Sequence, residues 1–201
     1  GSSGSGWAKG PGSNKWQRNS GNTSSFATGP SSAIHGSTYM YVEASGINVG
    51  YPYVSSTLIN ESIDLQGISN TKIIFWYHMY GSDIERLKLQ AKITGTQQWT
   101  DLWEKIGNQG NLWLEDSVDL SLYKDSIIDL RFLAITGNGY KSDIALDHIR
   151  IQGTYNSTNN NSTNIISSFP YYESFENGLG YWVQEDSDDI DWIQNSGNTP
   201  T

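Results

Sequence analysis

The chain has 201 residues, no cysteine, a formal net charge of -9 and only 16% charged residues. Its length suffices for a body of about 150 residues that buries roughly 70% of its unfolded surface, and the missing thiols exclude a disulfide framework and a thiolate metal centre. Twelve Lys and Arg against twenty-one Asp and Glu give no basic footprint for a phosphate backbone, which excludes nucleic acid as a partner, and there is no apolar run of about eighteen residues for membrane insertion.

The opening GSSGSG has the composition of a linker. The octapeptide WQRNSGNT at 16–23 returns as WIQNSGNT at 192–199, identical at six positions and offset by 176 residues. Each copy has a second Trp upstream, Trp7 and Trp182, at spacings of nine and ten residues. A match of this length in register marks tandem modules, here one nearly full copy over 7–153 and the opening of another over 170–201.

Between the copies, period-two alternation dominates. Ile73, Phe75, Tyr77 and Met79 share one face of a strand over 73–80, with Trp76 and His78 on the other. Leu87, Leu89, Ala91 and Ile93 repeat the pattern, as do Ile128, Leu130, Phe132 and Ala134, and then Ala145, Asp147, Ile149 and Ile151. Short strands separated by Gly, Asn and Ser turns, with no amphipathic helix of useful length, predict an all-β fold, a two-sheet antiparallel sandwich. The stretch TYNSTNNNSTN then opens an Asn/Ser/Thr-rich linker over 154–169. Beyond it, ESFENGLG precedes Trp182, whereas only GSSGSG precedes Trp7. The truncated copy is expected either to be a disordered tail with no partner for its apolar residues or, through residues 172–179, to supply a missing edge strand, within one chain or by strand exchange between copies.

Catalysis has little support, because His35, His78 and His148 are isolated and no HExxH helix, GxSxG elbow or phosphate loop occurs; the chain is expected not to be an enzyme. Alternation puts Asp147 on the face of Ala145, Ile149 and Ile151, toward the core, where a carboxylate needs a partner. That partner is a cation or, in the structural alternative, backbone N–H groups, Arg131 or Arg150. Trp99, Asp101 and Trp103 share one face of a probable strand, and Tyr51, Tyr53 and Trp113 lie in segments able to converge with it. Rings beside carboxylates and amides bind sugars by stacking and hydrogen bonding, and serve protein interfaces equally well. Trp103 and Trp113 are assigned to packing, leaving Trp99, Asp101, Tyr51 and Tyr53 as ligand-binding candidates.

The lines IIFWYHMYGSDIERLKL, LWEKIGNQGNLW and FLAITGNGYKSDIALDHIRI, preceded by NSGNT and TGPSSAIHGSTYMYVEAS, occur in the order of a MAM domain, the module of meprin, A5 and receptor phosphatases. The resemblance covers nearly all of 7–153, and FENGLGYW with DDIDW at 175–201 resembles the family's opening again. It implies a jelly-roll-like β-sandwich. It also implies a non-catalytic, secreted module for adhesion or dimerisation, which in bacteria accompanies proteases or polysaccharide-degrading enzymes as a carbohydrate-binding module. Animal members carry disulfide cysteines, so their absence points to an extracellular bacterial protein. The resemblance further places the first-strand acid, Glu176 in the second copy, near the last strand. With Asp147, Glu43 and Asp143 it would hold structural Ca²⁺ or Na⁺ through oxygen ligands.

Overall fold

The computed structural model describes residues 7–10, 16–47 and 49–155. The chain divides into two units, Gly1–Gly153 and Thr154–Thr201. Apart from Thr154 and Tyr155, the expected linker lies outside the described residues, as do the second copy, the edge strand expected at 172–179 and Glu176.

The described residues form ten strands: β1 Trp7–Lys9, β2 Trp16–Asn19, β3 Tyr39–Val42, β4 Ser55–Asp64, β5 Ile68–Met79, β6 Ile84–Ile93, β7 Thr100–Ile106, β8 Leu114–Asp119, β9 Ile127–Thr136 and β10 Ile144–Tyr155. They build two five-stranded sheets, ordered β1-β4-β9-β6-β7 and β2-β3-β10-β5-β8. Every pairing with a resolved register is antiparallel. The fold is thus the all-β sandwich that the alternation predicts.

The core lies between the inner faces of the sheets. From β9, Ile128, Leu130, Phe132 and Ala134 are buried, and Ile73, Phe75, Tyr77 and Met79 of β5 meet them from the other sheet. Phe75 sits edge-on to Phe132 at 4.8 Å and to Trp103 at 5.0 Å. Burying a Phe, Leu or Ile side chain contributes about 1.5–3 kcal/mol, so these inward rows hold the sheets together.

Two irregularities redirect side chains. The β6–β7 register shifts so that Leu89 faces Trp103 while the next residue, Gln90, faces Asp101. The extra residue, Leu102, breaks the alternation. Trp103 therefore packs on the core with Phe75 and Tyr77, while Asp101 bonds to Gln90 and Lys88 on the opposite face. The expectation that Trp99, Asp101 and Trp103 share one face is thereby corrected.

The second irregularity is in β10. Ile144 and Leu146 enter the main core and Ala145 packs with Tyr39 and Tyr41, but His148 takes φ 48 and Ile149 and Ile151 again pack on the main core. One extra residue between Leu146 and Ile149 inverts the pattern. Ala145 is consequently not on the face of Ile149 and Ile151. Nor does Asp147 point at the core: its Oδ2 accepts the Ile34 and His35 N–H groups at 2.9 and 3.0 Å, and its Oδ1 accepts that of His148 at 2.7 Å.

Candidate recognition and cation sites

Glu43 directly follows β3 and Asp143 directly precedes β10, two strands that pair through Val42 and Ile144. That pairing brings the two acids, distant in sequence, to one end of the sandwich. Asp143 is fully buried; its Oδ1 accepts the Ala44 N–H at 2.9 Å, and its Oδ2 is buried with no partner. Burial, with the nearby Glu43 charge adding to it, pushes the Asp143 carboxyl up to about 7.

Glu43 is tied down differently. Burial pushes its carboxyl up, but hydrogen bonds from Ser24, Ser45 and Tyr41 outweigh this and hold it below the ordinary Glu value. Ser24 Oγ donates to its Oε2 at 2.5 Å, Tyr41 OH to the same oxygen at 3.1 Å, and the Ser45 N–H to Oε1 at 2.9 Å. The loop that supplies Ser24 is pinned in turn: Thr23 Oγ1 donates to Thr28 O, Thr28 Oγ1 donates to Tyr80 O, and the Asp143 N–H donates to Thr28 Oγ1, each at 2.9 Å. Gly81, at φ 149, packs so closely on the Lys141 carbonyl and Thr28 Oγ1 that a Cβ would collide with both.

An orphaned buried carboxylate oxygen beside a second acid and several hydroxyls is a hard-oxygen donor set suited to Ca²⁺ or Na⁺. Among the described residues no group of three or more His, Cys, Asp or Glu converges, so hydroxyl, carbonyl or water oxygens would complete the coordination. Asp147 does not join this set; its carboxylate is engaged by three backbone N–H groups.

The outer face of the β9-β6-β7 portion carries the aromatic candidate. Trp99 is half-buried, with the Arg131 guanidinium 4.1 Å and the Lys92 ammonium 5.2 Å from its ring centre. Arg131 Nε donates to Gln90 Oε1 at 2.7 Å, Gln90 Nε2 donates to Asp101 Oδ1 at 2.5 Å, and Lys88 Nζ pairs with Asp101 Oδ2 at 2.5 Å. Lys92 is anchored by Asp129 at 3.0 Å. Trp99 and Asp101 thus stand in one polar network. Tyr51 and Tyr53 do not join it: the Tyr53 N–H bonds to Gly137 O next to the Thr136 end of β9, and Asp129, which anchors Lys92, lies at the other end of that strand.

The partners Lys88, Gln90, Lys92 and Arg131 were not singled out by sequence reasoning. Alternation marks them as outward polar positions between apolar ones, but not which strands bring them together. Trp113 packs beside Tyr39 and His78 and donates Nε1–H to Ser32 O at 2.9 Å. His78 is buried, its Nε2 3.2 Å from Asn111 Oδ1 and its Nδ1 without a partner, and burial pulls its pKa down to about 4.

No helix among the described residues is long and apolar enough to cross a membrane. The chain is similar to human MAM domain-containing protein 2, at 31% identity over 140 residues covering 68% of this chain and 19% of that protein. It is also similar to chicken MAM domain-containing glycosylphosphatidylinositol anchor protein 1, at 30% identity over 131 residues covering 62% of this chain and 13% of the relative. The chain thus spans less than a fifth of the length of these relatives. Among solved structures, the K1 cleaved adhesin domain of Lys-gingipain from Porphyromonas gingivalis W83 shares the fold, with a TM-score of 0.53 and 19% identity, covering 74% of this chain and 91% of that one. A model of the MAM domain, meprin/A5/mu, matches residues 2–156, and the chain belongs to that family.

Proposed function

We propose that this MAM domain is a non-catalytic recognition module of a larger extracellular protein, and that it binds glycan through the outer face of the β9-β6-β7 sheet. The observation that carries this reading is the Trp99–Arg131 stack at 4.1 Å, continued by Gln90, Asp101 and Lys88. A ring presented beside amide and carboxylate groups offers a sugar an apolar face and directional hydrogen bonds together. Because Lys88, Gln90, Asp101 and Arg131 stand on paired strands, Trp99 directly precedes β7, and these groups are locked by one another, binding costs little ordering entropy. Affinity electrophoresis through a panel of neutral and acidic polysaccharides tests it. Selective retardation that is lost in Trp99→Ala supports the reading, and unretarded migration through every polysaccharide refutes it.

A second reading, adhesion to a protein, is favoured at the other end of the molecule. The Ser25 and Ser45 hydroxyls meet at 2.7 Å, joining loops whose exposed Phe26, Ile47 and Val49 supply apolar surface beside Glu43. The solved relative is itself an adhesin domain. In either reading Ca²⁺ or Na⁺ at Glu43 and Asp143 would have a structural role, fixing these loops by neutralising the buried acids.

A further inference from the structure

We infer that His35 and His148 form a two-imidazole site for a borderline divalent cation such as Zn²⁺ or Ni²⁺, separate from the Glu43–Asp143 pair. The two rings are 4.1 Å apart centre to centre and tilted by 34°. Zn–N bonds of about 2.0–2.1 Å in tetrahedral geometry place two ligating nitrogens roughly 3.3 Å apart. In that geometry the two ring centres stand about 5 Å apart, so rotation about χ1 and χ2 opens the observed pair before both nitrogens converge on one ion.

The backbones carrying the two rings are already locked together. One carboxylate, Asp147, accepts N–H bonds from both histidines, His35 at 3.0 Å and His148 at 2.7 Å, and a third from Ile34 at 2.9 Å. His148 holds φ 48 inside a strand, a left-handed conformation uncommon for residues other than glycine. It is this turn of the chain that inverts the β10 alternation beside His35. Strain held at an observed outlier is a reason to look for function there.

The pair is open to a metal ion from solvent. His35 is exposed and His148 half-buried, so the pair opens to solvent, and His148 lines a cavity of about 310 Å³ together with Asp147, Arg18 and Tyr39. The neutral imidazole is the form that ligates metal. Among the described residues no third Asp, Glu or His completes a cluster, so water or a partner's side chain would fill the open positions. Such a site selects imidazole-seeking metals over Ca²⁺.

Titration of the untagged 201-residue chain with Zn²⁺ alone, by calorimetry near pH 7.5, tests this. One ion per chain should bind, excess Ca²⁺ should not displace it, and His35→Ala should weaken it about tenfold or more while leaving the metal-free melting temperature unchanged. His148→Gly provides the second arm: glycine accepts the left-handed φ, so the variant should fold at least as stably and bind Zn²⁺ as weakly as His35→Ala. Zn²⁺ binding unchanged in both variants, absent from the parent chain, or competed away by Ca²⁺ would overturn the assignment.

Discussion

The Ala44 N–H donates a 2.9 Å hydrogen bond to Oδ1 of Asp143 across 99 residues of sequence, and the other oxygen of the same carboxylate is buried with no partner. The bond ties the end of β3 to the start of β10, while the orphaned oxygen makes the charged form of Asp143 costly. A cation at this position would relieve that cost.

The Asp143 carboxyl is raised to about 7. The unfolded chain therefore gives up this proton first, near pH 4, and stability falls as pH rises from there to about 7, by up to about 4 kcal/mol if fully expressed. Asp143→Asn should abolish that fall and also remove the rise in melting temperature on adding Ca²⁺ to chelator-treated protein. Urea unfolding at several pH values, with and without Ca²⁺, reads both effects. A Ca²⁺-induced shift that survives in Asp143→Asn would remove this residue from the cation site.

His78 works in the opposite direction within an overlapping window. Its folded pKa is pulled down to about 4, so its contribution is fully present above about 6.5 and is lost as pH falls through 4, at about 1.4 kcal/mol per unit. In the parent chain the two slopes partly cancel. Asp143→Asn should thus expose a steeper acid-side loss, and His78→Gln should expose the alkaline-side loss due to Asp143.

The two tryptophans flanking the β7 irregularity should separate function from stability. Trp99→Ala should remove polysaccharide retardation while costing about 0.5–1 kcal/mol for the lost cation–ring contact. Trp103→Ala empties a core position packed on Phe75 and Tyr77 and should cost about 3–5 kcal/mol. Equal losses by chemical denaturation would contradict the opposite facing of these two rings.

Gly81→Ala should be among the more damaging single-methyl changes. The residue has φ 149, and its Cβ would strike the Lys141 carbonyl, which is backbone and cannot rotate away. The expected loss is about 1–3 kcal/mol, and the variant should also bind Ca²⁺ more weakly, because Lys141 lies two residues before Asp143.

Much of the architecture is legible in the sequence. The rows Ile73, Phe75, Tyr77, Met79 and Ile128, Leu130, Phe132, Ala134 read as inward faces and are buried as such, and the order of motifs is that of the MAM family. The reading failed where a single extra residue intervened. At Leu102 and again at Asp147–His148 the period-two count carries past an irregularity that local composition does not announce, so alternation alone groups Trp103 with Trp99 and Asp101 and turns Asp147 toward the core, while the assignment of Trp103 to packing holds.

What the chain determines by itself is therefore whatever depends on neighbours two residues apart, because side-chain alternation is a property of the extended backbone alone: the all-β class, the strands and most of the core. The sites belong to the tertiary structure. The Glu43 charge comes near Asp143, His35 meets His148 and Trp99 meets Arg131 only after strands distant in sequence have paired and registered. Burial then decides their chemistry, raising one carboxyl to about 7 while hydrogen bonds hold the adjacent one down.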